Sequence, residues 1–347
     1  MMSVLMLGPA SSVHGGVSVV VNNYYDAGLG SRVKLRYIGT MVDGSKLRKL
    51  LQAVGAYICF LFALPGYDII HINMASDASY YRKKAFIDTA YLFHKKIVIH
   101  EHGGNFRKFY EAMTPAEKAS VGKTLDKASV FIVLSNEWKK FFAPIVTKVP
   151  IQIMHNAVRM PAEGRSDYVD QNILFLGRIC RDKGIAELLL AMDEIHGRFP
   201  RACLYIGGSY EEQEWKSEVE KRSKYVRWMG WIGGAGKEKL LRETCSTFVL
   251  PSYYEGQPIS LMEAMSYGLA SVATNVGGVP EIVSEGEGIL IPAGNEKALA
   301  AALENVLADA EYRRELGIAA RARIAGDYDM KGAVDRLCEV YSEIEAL

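Results

Sequence analysis

Twice along this chain, short β-branched runs alternate with longer helical patterns, and few folds can accept such a sequence. In the first series SVLMLG, VKLRYIG, DIIHIN, KIVIHE, SVFIVLS and PIQIMHN read as strands. Between them VSVVVNNYYDAG, LRKLLQAVGAYICFLFAL and YYRKKAFIDTAYLFHK carry helical spacing. Strands separated by helices imply a parallel sheet covered on both faces. A polar, turn-rich stretch, MPAEGRSDYVDQN, then has no apolar period and reads as a linker. The alternation resumes with ILFLG, ACLYIGG, YVRWMG, STFVLP, SVATN and GILIP as strands. Helices are predicted near 184–197, 211–222, 235–243, 258–267, 279–284 and 295–325. The predicted architecture is α/β, with two Rossmann-like domains at 1–158 and 170–328. An amphipathic C-terminal helix, 329–347, joins the first domain. Two such domains leave a cleft at the C-terminal ends of their strands, where ligands of open α/β sheets bind.

Composition narrows the function classes. A chain of 347 residues with net charge +1 has no global field to favour nucleic acid. The five cysteines, Cys59, Cys180, Cys203, Cys245 and Cys338, are scattered without a CxxC pair. They read as buried free thiols in a reducing compartment. The N-terminal MMSVLMLGPA has no basic region ahead of an apolar one, so no secretory signal is read and a cytoplasmic location is expected. Leu50 to Leu64 is apolar but short for a membrane span. It reads as a buried helix of an α/β domain. The alternative is a helix resting on a membrane surface, with Lys46, Arg48 and Lys49 near lipid phosphates.

The polar residues that follow strands carry the chemistry. After SVLMLG, Gly15 and Gly16 precede a helix, where glycine admits close backbone approach and helix amides favour anions. Neither GxGxxG nor a P-loop is present. His102 ends the KIVIHE strand region, and His100 lies two residues earlier on the same face. A histidine there can bond a sugar hydroxyl or serve the fold; no third ligand at sensible spacing supports a metal. In ILFLGRICRDKG, Arg178 follows a strand and Lys183 precedes a helix, a planar fork and a point charge suited to phosphate. In PSYYEGQPISLMEAMSYG, Glu255 follows a strand and Gly256 permits a tight loop. Pro258 is placed in the first helical turn and Gly268 at its C-cap. Glu263, further along that helix, has two acceptor oxygens that suit ribose hydroxyls. NVGGVPEIV adds two glycines and Glu281 at another strand-to-helix turn.

Taken in order, the GGV turn, the strand-end His-Gly, the GR…KG pair, EGxPxxxxEAM and the VGGxPE loop resemble the retaining GT-B glycosyltransferases of family 4, glycosyl transferases group 1, of the bacterial polysaccharide type. The resemblance covers essentially the whole chain. It implies that Gly15 and Gly16 lie near donor phosphates, that His102 faces the transferred sugar, and that Arg178 and Lys183 grip the diphosphate. It further implies that Glu255 contacts sugar hydroxyls, aided by the backbone of Gly256, Gln257 and Pro258. Glu263 would bind ribose, and the base would stack near Met229 to Ile232, including Trp231. Asn156-Ala157 and Leu269-Ala270-Ser271 depart from the family's usual Asn-Gly and proline.

The implied reaction moves a hexosyl unit, from UDP-linked donors in preference to GDP-linked ones, to a saccharide or polyprenyl-linked acceptor, with no metal or other cofactor. Arg82-Lys83-Lys84 would add to a peripheral membrane contact at the inner face of the plasma membrane. Two alternatives share the fold: a nucleotide-sugar epimerase and a non-catalytic nucleotide-sugar-binding subunit.

Overall fold

The computed structural model describes residues 1–13 and 15–346. The chain divides into unit 1, Met1–Ala157 with Met330–Leu347, and unit 2, Val158–Asp329. Each has its own core of buried aliphatic and aromatic side chains. Val158 and Asp329 form an isolated parallel bridge, so the chain enters and leaves unit 2 side by side.

Unit 1 contains β1 (Ser3–Gly8), β2 (Lys34–Gly39), β3 (Ile69–Met74), β4 (Lys96–Glu101), β5 (Val130–Val133) and β6 (Ile151–Ile153). All pair parallel, in the order β2-β1-β3-β4-β5-β6. Every residue of β1 and β3 is buried, as expected for central parallel strands that are covered on both faces. The C-terminal helix Met330–Glu345 buries Val334, Leu337, Val340, Tyr341 and Ile344. Its Tyr341 hydroxyl lies 2.6 Å from Nδ1 of His71 on β3.

Unit 2 contains β7 (Ile173–Leu176), β8 (Leu204–Gly207), β9 (Val226–Trp228), β10 (Thr247–Leu250), β11 (Ala270–Thr274) and β12 (Ile289–Ile291). Its parallel order is β12-β11-β10-β7-β8-β9. Strand order therefore reverses between β7 and β10, the point where open α/β sheets bind ligands.

Several local expectations differ from the structure. The stretch read as a linker packs within unit 2: Arg165 is buried and donates to the Cys245 carbonyl at 2.7 Å, and the buried Tyr168 donates to the Gly268 carbonyl at 2.7 Å. The helix read over 295–325 is two, Glu296–Ala308 and Ala310–Asp327, because Asp309 turns extended and caps the second through the amides of Glu311 and Tyr312. Cys59 is exposed, not buried. Lys83 is buried and donates to Thr40 Oγ1 at 2.6 Å, while Lys84 pairs with Asp88 at 2.8 Å, so Arg82-Lys83-Lys84 does not present a continuous basic face.

The largest difference concerns the helix Lys46–Ala63. Only Ala56, Phe60 and Ala63 of it are buried, against the expectation of a buried helix. With the following turn it is the one segment among the described residues long and apolar enough to cross a membrane.

Candidate active site

At the β7/β10 reversal the chain leaves β7 through Gly177 and Arg178 and re-enters a helix, Ile185–Arg198, after Lys183 and Gly184. Gly184 has φ +69, and a Cβ there would stand 2.1 Å from the carbonyl oxygen of Pro251. Only glycine lets this turn lie against the loop leaving β10. Tyr253 N–H donates to the Asp182 carbonyl at 2.9 Å and fastens the two loops together. The result is a 2.5 Å ion pair between Lys183 Nζ and Glu255 Oε1, with the two side chains 18% and 9% exposed.

The Glu255 loop is held from its other side by the loop after β11. Gly277, at φ +54, and Gly278 pack on the Glu255 and Gly256 carbonyls; added Cβ atoms would approach those oxygens to 1.9 and 2.4 Å. Gly278 N–H donates to the Gly256 carbonyl at 2.8 Å. Gly256, Gln257 and Pro258 are all buried. Pro258 is the N-cap of the helix Ile259–Tyr267, with extended backbone, one place earlier than the first turn. Proline costs nothing here because a helix start leaves its first amides without intrahelical partners. Those amides and the positive end of the helix favour an anion next to Glu255. Gly268 closes the helix at φ +87.

The remaining unit 2 residues are placed separately. Arg178 forms an exposed pair with Glu211 at 2.5 Å, both about half exposed. Glu263, on the Ile259–Tyr267 helix, pairs with Lys237 at 2.6 Å. Trp228 at the end of β9, and Met229 and Trp231 beyond it, are 45–46% exposed, and Ile232 lies against Gly207 at the end of β8. Thus the structure joins Lys183 to Glu255 directly, while Arg178 and Glu263 each have another partner. Sequence reasoning missed those partners, Glu211 and Lys237. Nothing in their local pattern marks them, since each pairing spans at least a helix or a strand.

In unit 1, β3, β4 and the residue that follows β4 carry a ladder of histidines. The rings of His71 and His100 lie 5.5 Å apart, and those of His100 and His102 4.0 Å apart. Burial pushes His71 and His102 down to about 3 and His100 well below its ordinary value, so all three stay neutral near neutral pH. Asn73, at the end of β3, donates through Nδ2 to the Leu7 carbonyl at 3.2 Å. Its Oδ1 therefore accepts from His102 Nε2 at 2.8 Å. Nδ1 of His102 is shielded from solvent with no partner among the described residues. Asn73 is a second omission of the sequence reading, although its position at a strand end was a usable signal. Gly15 is the N-cap of the helix Gly16–Asp26, and a Cβ on either glycine would meet nothing within 4 Å among the described residues. No group of three or more His, Cys, Asp or Glu able to hold a metal occurs among the described residues.

Residues 161–323 match the family model for glycosyl transferases group 1. The match lies within the second unit and takes in a little under half of the chain. The glycogen synthase of Mycobacterium tuberculosis is 28% identical over 188 residues, a stretch that spans 53% of this chain and 44% of that relative. Two solved structures are similar over the full fold. The sucrose-phosphate synthase of Thermosynechococcus elongatus has TM-score 0.81 at 20% identity, covering 100% of both chains. The Anabaena HepE protein in complex with UDP-glucose has TM-score 0.80 at 16% identity, covering 99% of this chain and 100% of its own. The fold of this chain is GT-B, built from two Rossmann-like units.

Proposed function

We propose that this protein is a retaining, metal-independent glycosyltransferase that moves a hexosyl unit from a nucleotide-diphosphate sugar, preferentially UDP-linked, to a saccharide or lipid-linked saccharide in cell-surface polysaccharide synthesis. One observation carries the reading: Lys183 and Glu255 meet at the strand-order reversal of unit 2, beside the start of the helix Ile259–Tyr267. A cation, helix amides and a carboxylate in one place suit a leaving diphosphate and the hydroxyls of the sugar attached to it. The match of residues 161–323 to glycosyl transferases group 1 supports the reaction class, and the UDP-glucose held by HepE supports the donor class.

In this reading the anomeric carbon–phosphate oxygen bond breaks as the acceptor oxygen bonds to the same face of that carbon. The acceptor proton passes to the departing diphosphate. Lys183 and the helix amides stabilise the developing negative charge, and Arg178 joins them by exchanging Glu211 for phosphate. Glu255 then holds sugar hydroxyls, Glu263 exchanges Lys237 for ribose, and the apolar residues from Met229 to Ile232 carry the base. Gly15, Gly16 and His102 are assigned to the donor phosphates and the transferred sugar.

The test is donor turnover with a panel of UDP- and GDP-sugars, with product configuration read by NMR. A product of the donor's own anomeric configuration, formed equally with and without a chelator, is expected. Arg178→Ala or Lys183→Ala should each lower turnover on the order of 100-fold. An inverted product, or near-normal turnover in both variants, would refute the assignment.

A further inference from the structure

We infer that the exposed face of the helix Lys46–Ala63 docks on a bilayer surface rich in anionic phospholipid. Leu47, Leu50, Leu51, Val54, Ile58 and Phe62 are 49–85% exposed. Their spacing of three and four residues sets them in one stripe along the helix. The opposite side, Ala56, Phe60 and Ala63, is packed into the core of unit 1, and Gln52 donates to the Gly39 carbonyl at 2.6 Å. One side fixed in the core rules out a spanning helix, while the other presents a length of apolar surface that monomeric proteins seldom leave to water.

The charges say what covers it. From Lys46 to Gly66 the sequence contains no aspartate or glutamate, while Lys46, Arg48 and Lys49 occupy the first turn. Lys46 and Arg48 fall on either side of the apolar stripe by helical rotation. A groove of about 560 Å³ between this helix and β2 is lined by Arg36 and Arg48 at its polar part and by Leu51, Gly55, Ala56 and Cys59 along the helix. Two guanidiniums beside small apolar residues match a phosphate headgroup with the start of its acyl chain. A second copy of this chain would bring the same cations and no helix carboxylate to receive them.

The helix follows β2 in a parallel sheet, so its basic end lies at the C-terminal edge of the strands, the edge that also bears Gly16 and His102. If the transfer reading above holds, docking in this orientation brings the polar end of a lipid-borne acceptor to that edge; the docking itself does not depend on that reading.

Vesicle sedimentation without donor tests it. The full chain should pellet with phosphatidylcholine vesicles containing about one-third phosphatidylglycerol, and much less with phosphatidylcholine alone. Leu50→Glu with Val54→Glu, both at exposed positions, should lower partitioning on the order of tenfold or more with an unchanged melting temperature. Arg36→Ala with Arg48→Ala should abolish the preference for anionic vesicles. Three results would overturn the inference: protein left in the supernatant with both vesicle types, binding unchanged in both double variants, or a dimer in light scattering that Leu50→Glu with Val54→Glu dissociates. Because no sugar donor is present, turnover results and vesicle results fail independently.

Discussion

Removing the ammonium of Lys183 leaves the Glu255 carboxylate, 9% exposed, without its partner at 2.5 Å. Breaking one side of a largely buried pair costs about 3–5 kcal/mol, whereas replacing both sides with neutral groups is often close to neutral. Lys183→Met alone should therefore melt at a lower temperature, and adding Glu255→Gln should restore much of the loss without restoring turnover. Calorimetry beside a donor assay checks this; turnover that recovers with stability would show that the pair serves only the fold. Arg178 differs, because its pair with Glu211 is about half exposed on both sides and such pairs contribute roughly 0–1 kcal/mol. At this scale the sequence singled out Lys183 and Glu255 separately, from charge and glycine at strand ends, and the structure brings the two together. The sequence did not show that Lys183 would pair with Glu255, or that Gly277 is required because a carbonyl oxygen from the preceding loop lies 1.9 Å from where its Cβ would be. Both facts depend on two loops meeting in space.

Among elements, the legible ones were those with strong periodicity or a terminal signal. Gly268 was readable as a helix stop because a left-handed residue is needed there. The helices Phe106–Glu111 and Pro115–Leu125 were missed, although Thr114 and Glu117 form a capping box that announces the second. The Lys46–Ala63 helix was misread because apolar content measures how much of a helix avoids water, not which side a neighbour covers. The histidine ladder of unit 1 gives this scale its prediction. Below the ordinary histidine value near 6.5, the unfolded chain takes up protons that His71 and His102 refuse down to about 3 in the fold. Their contribution is whole above that value and is lost as pH falls through the window, by about 1.4 kcal/mol per pH unit for each histidine. Glu101 works in the opposite direction, since burial pushes its carboxyl well up and the folded state binds its proton first. With His100 also held down, three groups oppose one. The melting temperature should drop between pH 7 and pH 5, and the drop should shrink in His100→Leu. An equal drop in both proteins would remove the ladder as its cause.

For the whole molecule, alternation was enough to give two parallel α/β units, because each strand-helix-strand crossover imposes its own direction and hand. Strand order was not readable, since every strand of a buried parallel sheet has much the same apolar composition. Yet that order places the reversal of unit 2 between β7 and β10, and so brings Lys183 to Glu255 although the two lie 72 positions apart in the chain. The same separation of chain order from unit membership governs the C-terminal helix. Met330–Glu345 follows unit 2 in sequence but completes unit 1, burying Leu337, Val340 and Tyr341 and bonding His71, Arg32 and Gln152 through Tyr341, Asp335 and Glu343. Its loss would open unit 1 at β3, where His71 lies wholly buried. A chain ending at Asp329 should therefore lose or sharply lower the melting transition of unit 1, while unit 2, with a separate core, keeps its own. UDP, if it binds unit 2 as proposed, should raise the surviving transition by mass action on the folded state. Scanning calorimetry of both chains with and without UDP reads all of this. If the shortened chain instead loses both transitions together, the two cores do not melt as separate units, and if it loses neither, the helix adds no stability to the sheet it covers.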